Sequence, residues 1–160
     1  MDEQTNVERP QTVEDVYARE APRLWHALLV FTGDRNLASD AVAEAFAQLI
    51  ARGDGVHDPA AWVWRAGFKI AGGELQRTNR TLPTEDLFGI VQEPSGTGVD
   101  LMRALQQLPR RQRAVIVLHY LVDLPTPEVG RRLGMATPTV RVHLMKGRRR
   151  LRQLMETPDD

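Results

Sequence analysis

A chain of 160 residues, 42% of them hydrophobic, has apolar material for one ordinary domain or two small helical ones. It has no cysteine, which excludes disulfides, thiolate zinc sites and cysteine nucleophiles. No apolar run is long enough to cross a bilayer, and the opening MDEQTNVERP is acidic and polar where a secretory leader is basic and then apolar, so a cytoplasmic protein without membrane insertion is expected. The net charge of zero hides a division. Residues 1–100 hold 9 Arg/Lys against 16 Asp/Glu and residues 101–160 hold 12 against 5, so halves of opposite sign are expected to meet different partners.

Residues 1–11 read as a flexible N-terminus. From Val13 the apolar residues Val16, Tyr17, Leu24, Leu28 and Phe31 fall at helical spacing, with a kink or restart expected at Pro22, which lacks an N–H. Thr32-Gly33-Asp34 reads as a turn. From Leu37 to Arg52, Ala38, Ala41, Val42, Ala45, Phe46 and Leu49 line one face, and Gly53-Asp54-Gly55 closes the helix. A third helix is expected from Asp58-Pro59, as cap and first-turn proline, to about Arg80. Residues 81–99 contain two Pro and three Gly without a sustained period and read as a linker. The expectation is an all-α protein of two small helical domains, 12–80 and 100–155, joined by that linker. The second opens with helical segments Leu101–Leu108 and Arg111–Leu121.

The stretch LVDLPTPEVGRRLGMATPTVRVHLMKGRRRLRQL carries the most information. Thr126 with Pro127 can start a short helix, and Gly130 would let a second helix cross it closely. Gly134 can end it in the left-handed conformation, with Met135 filling the space between helices. Thr137-Pro138 starts another helix, whose Val140, Leu144 and Leu151 face inward. Thr139, Arg141, Val142, His143, Lys146 and Arg148–Arg150 are left on its other faces. Six basic residues and no acidic one fall within 137–152. That pattern suits phosphates and guanine edges in a major groove, although a solvated basic helix end explains it too. Gly147 is expected to weaken this helix and allow bending. His143 is a potential metal ligand, but with four scattered histidines a groove or solvent role fits better. Neither a metal site nor a cofactor is expected, and no pattern of catalytic residues points to an enzyme.

LPRRQRAVIVLHYLVDLPTPEVGRRLGMATPTVRVHLMKGRRRLRQL resembles region four of the extracytoplasmic-function sigma factors, the sigma-70 type subunits of bacterial RNA polymerase. TGDRNLASDAVAEAFAQLIAR and DPAAWVWRAGFKIAGGELQR are similar to two successive helices of their region two. The resemblance implies an alternative sigma factor whose partners are core RNA polymerase, promoter DNA and an anti-sigma factor. It implies that region two docks on the clamp helices of the largest polymerase subunit and captures the melted minus-10 element. Region four would bind the minus-35 duplex and the flap of the second large subunit. On that footing Asp40, Glu44 and Gln48, a polar stripe at i, i+4, i+8 that solvation alone would also explain, become the polymerase contacts. Trp62, Trp64 and Phe68 are the aromatics that could stack on unpaired bases, with Arg65, Lys69 and Arg77 holding the strand backbone; Trp62, which fits one apolar side with Gly67 or Ala66 and Ile70, is expected to be the core one, leaving Trp64 and Phe68 for the bases. The loop Gly53–Asp58 would receive an extruded base. Thr139, Arg141, Val142, His143, Lys146, Arg148 and Arg149 would face the minus-35 element. Ala43 stands where the family often has Gln, and Lys69 and Gly73 where it often has Asn and Asp, so promoter preference does not carry over. An autonomous helix-turn-helix regulator is the competing reading, and it leaves the acidic stripe without a role.

Overall fold

The computed structural model describes residues 11–78 and 96–156. Among them are seven α-helices and no strand: α1 (Val13–Thr32), α2 (Arg35–Arg52), α3 (Pro59–Thr78), α4 (Gly96–Gln106), α5 (Arg110–Ile116), α6 (Thr126–Leu133) and α7 (Thr137–Glu156). A 3-10 turn follows α2 at Gly53–Gly55 and a π-helical turn extends α5 over Val117–Leu121. The architecture is all-α, as expected. Most of the expected linker lies outside the described residues, and α4 begins at Gly96, inside its expected span.

Local chemistry sets the helix ends. Thr12 and Asp15 form a reciprocal capping box that starts α1. Gly33, at φ 70, closes it in the left-handed conformation, and Asp34 at once caps α2 through Leu37 N–H. The Asp58 carboxylate accepts from Ala61 N–H and starts α3. The break expected at Pro22 does not occur: α1 is one helix. Pro22 is exposed, while Val16, Ala21, Leu24, Ala27, Leu28 and Phe31 on both sides of it are buried. That continuous apolar face outweighs the roughly 3 kcal/mol that an interior proline costs. Both helices begin one residue earlier than threonine caps with prolines at the first position would place them. The first bonds run from Val129 N–H to Pro125 O and from Val140 N–H to Ala136 O, so Thr126 and Thr137 are first-turn residues rather than caps.

Helices α1, α2 and α3 pack as a three-helix bundle, and α5, α6 and α7 pack on one another with α4 against α7. The two halves share one continuous apolar core, from Val16 through Trp64 to Val140 and Leu144. They meet where α6 lies on α3, and where the C-terminal end of α1 meets α4 and the π-turn.

Polar side chains stitch that seam. Glu20, 3% exposed, accepts from Trp64 Nε1 at 2.9 Å and from Arg132 at 3.3 Å, and the Arg132 guanidinium lies 4.9 Å above the Trp64 ring. Burial alone would push the Glu20 carboxyl up; the Trp64 N–H, the Arg132 charge and the Arg19 guanidinium outweigh it and hold the group below its ordinary value. At the other end, Gln106 Nε2 donates to Val30 O and Arg113 to Phe31 O, 2.8 and 2.9 Å away. These carbonyls end α1 and have no partner within the helix. Arg113 also donates to Gln106 O and Leu108 O, so one buried cation sits at the negative ends of two helix dipoles. Burial, with the charge of Arg110, lowers its pKa to about 10, which leaves it charged at neutral pH.

Candidate nucleic-acid interface

The turn between α6 and α7 depends on two glycines. A Cβ on Gly130 would stand 2.5 Å from the Met135 carbonyl oxygen, so no other residue lets the turn pass so near α6. Gly134, at φ 69, ends α6 in the left-handed conformation. Met135 is partly buried against the core, and Val140, Leu144 and Gly147 are the buried positions of α7. Gly147 is a packing position rather than a bend, because its missing Cβ would meet Ile116 Cγ1 at 3.0 Å. The outer surface of α7 presents Thr139, Arg141, Val142, Lys146, Arg148 and Arg149, all exposed. Arg148 is tethered by the Tyr120 hydroxyl and stacks over that ring at 5.4 Å. His143 departs from the expected set. It is half-buried with Nδ1 enclosed, and burial, then the Arg111 and Lys146 charges, lower its pKa. A neutral flank residue adds no attraction for phosphate. Met145, 53% exposed among the cations, was missed because its apolar character reads as packing.

In the first half the assignment of aromatics reverses. Trp64 is fully buried and Phe68 is 6% exposed, with their rings stacked on each other at 6.3 Å, so in this conformation neither offers a face to a base. Trp62 is the half-buried one, and Arg52 lies over its ring at 5.6 Å. The reason is the register of α3: Val63, Trp64, Gly67, Phe68, Ala71 and Leu75 follow one face. On it Trp64 finds an acceptor for its indole N–H in Glu20. A shallow groove between α2 and α3 is lined by Gln48, Arg52, Trp62, Arg65, Lys69 and Arg77, among others. Arg77 is held by Glu74 at 2.6 Å, and Arg65 donates to Arg131 O across the seam. Arg52 is the residue that sequence reasoning overlooked; its position at the end of α2, beside the loop, was the available signal. The loop itself is exposed at Gly53–Gly55, and Asp58 at its far end is engaged by Arg131.

Asp40, Glu44 and Gln48 all lie on the exposed side of α2, and Gln48 donates to Glu44 at 3.0 Å. They form one acidic strip along a helix whose opposite face is core. Among the described residues no cluster of three or more metal-ligating side chains occurs, and no helix is long and apolar enough to cross a membrane.

These features define a helical protein with a helix-turn-helix whose outer helix is strongly basic, coupled to a second helical bundle that carries an acidic strip and a basic, aromatic-floored groove. Residues 98–151 match the family described as Sigma-70, region 4. Two solved structures share the fold across both halves. One is the sigma factor RpoE in complex with the anti-sigma factor NepR from Bartonella quintana, 18% identical, covering 91% of this chain and 98% of that one with a TM-score of 0.68. The other is CnrH in complex with the cytosolic domain of CnrY, 22% identical, covering 92% and 89% with a TM-score of 0.70. No curated protein matches the sequence significantly.

Proposed function

We infer that the chain is an alternative sigma factor of the extracytoplasmic-function type. It binds bacterial core RNA polymerase in the cytoplasm and directs initiation at particular promoters, with no catalysis of its own. The observation that carries this reading is the match of residues 98–151 to sigma-70 region 4; the two-part fold, shared with solved sigma factors, supports extending it to the first half. In this reading α7 reads the minus-35 duplex. The groove floored by Trp62, with Arg52, Arg65 and Lys69, takes the melted minus-10 strand through stacking and phosphate contacts. Asp40 and Glu44 meet basic residues of the polymerase clamp. An anti-sigma partner belongs to the same reading, supported by the RpoE–NepR complex.

The double variant Asp40→Ala, Glu44→Ala is expected to weaken core binding roughly ten-fold, with a weaker salt dependence. Fluorescence anisotropy with labelled protein and purified core measures this. Both side chains are exposed, so the variant's melting temperature should stay within a degree or two of the parent's. Unchanged core affinity would return the strip to the role of a solvated face.

A further inference from the structure

On the reading of α7 as a duplex reader, we propose that Val142 and Met145 are specificity-determining residues that read thymine methyl groups in the minus-35 element. The packing face of α7 is fixed by Val140, Leu144, Gly147 and Leu151, which are buried or packed against the core. At 100° per residue the direction opposite that face passes within about 10° of Val142 and about 50° of Met145. Arg149 also falls within about 10° of that line, two turns beyond Val142, and Lys146 lies about 50° to the side away from Met145. Val142 and Met145 are 44% and 53% exposed, so a large apolar side chain stands at the centre of the outward surface with a second beside it, one turn further along.

Such a surface does not suit phosphate alone. A helix that only grips backbone needs only cations there, and Arg149 on the line with Arg141, Lys146, Arg148, Arg150 and Arg152 around it already supply them. The apolar pair supplies what cations cannot. In the major groove the thymine C5-methyl is the apolar mark that separates T·A from the other pairs. The two positions are about 4.5 Å apart along the helix axis, against about 3.4 Å per base pair, so they suit methyls on adjacent or next-adjacent pairs. Charge selects the occupant: no acidic residue lies on α7 before Glu156, so a nucleic acid is favoured over a protein partner of ordinary surface charge.

The test uses holoenzyme assembled from the full chain and core polymerase. Duplexes bearing the bound element are first selected from a random library. Each thymine in it is then replaced by uracil, which removes the methyl and nothing else. One or two replacements are expected to weaken binding about four-fold each, the effect of one buried methylene-sized group. Met145→Ala or Val142→Ala should bind thymine and uracil duplexes equally at one of those positions, while Met145→Leu keeps the discrimination. Arg141→Ala serves as the control: it should weaken both duplexes together and leave the ratio intact. No uracil effect at any thymine, or ratios unchanged in both alanine variants, overturns the proposal. So does a loss confined to core binding, which would make the pair a protein contact. Failure to select any duplex, or selected duplexes whose binding Arg141→Ala leaves untouched, would instead overturn the reading of α7 on which the proposal rests.

Discussion

Replacing Glu20 by alanine is expected to remove about 3–5 kcal/mol of stability at neutral pH, the range for taking one partner from a buried ion pair. The variant strands Trp64 Nε1, which is otherwise satisfied at 2.9 Å, and leaves Arg132 with Glu128 alone, at 3.1 Å. Glu20→Gln should cost less, because an amide oxygen still accepts from Trp64 while the charge is lost. The effect also depends on pH in a set direction. The Glu20 carboxyl is held below its ordinary value of 4.5, so its contribution is fully present above about that pH and is lost as pH falls through the lower, folded value. Urea denaturation at pH 7 and at successively lower pH values checks both points. Parent and Glu20→Gln should converge as the medium becomes acidic; a gap that stays constant below pH 4 would show that Glu20 does not act through its charge.

Arg113→Met is expected to cost a similar amount, about 3–5 kcal/mol. It removes the donor for Phe31 O, Gln106 O and Leu108 O at once, and a stranded buried acceptor costs about 1–3 kcal/mol. The methionine side chain recovers part of the loss by packing on Phe31, whose ring now faces the guanidinium at 5.6 Å. Arg113→Lys should rescue little. One ammonium cannot reproduce a planar fork that serves carbonyls on two helices. A chain of this size loses about 2–4 °C of melting temperature per kcal/mol, so both variants should melt roughly 10 °C below the parent. A lysine variant as stable as the parent would mean that charge at the helix ends, and not the geometry of the fork, is what Arg113 supplies.

These two residues also mark where the sequence stops being legible. Helix positions were readable because apolar spacing and glycine or Asx-type caps are local signals: Gly33, Asp34, Asp58 and Gly134 sit at the ends where their chemistry puts them. The outward cations of α7 were legible for the same reason. The seam was not. Glu20 read as one more acidic residue of an acidic half, and Arg113 as part of a basic run; nothing local says that each is buried against an element 44 to 112 residues away. The exchange of Trp62 and Trp64 has the same origin. Both fit a helical face, and the choice is made by Glu20, which gives Trp64 alone an acceptor inside the core. Met145 was passed over because an apolar residue on a helix is ordinarily a packing residue, and only its exposure separates the two cases.

The most direct test of the account is transcription in a purified system. Bacterial core RNA polymerase and the full chain are incubated with genomic DNA fragments from the host, and the 5′ ends of the products are mapped. The account predicts discrete start sites that are absent with core alone, preceded by a shared pair of elements, and lost in the Asp40→Ala, Glu44→Ala variant. A chain that binds duplex DNA tightly by itself, yet neither associates with core nor produces any new start site, would contradict it and leave a free-standing helix-turn-helix regulator in its place.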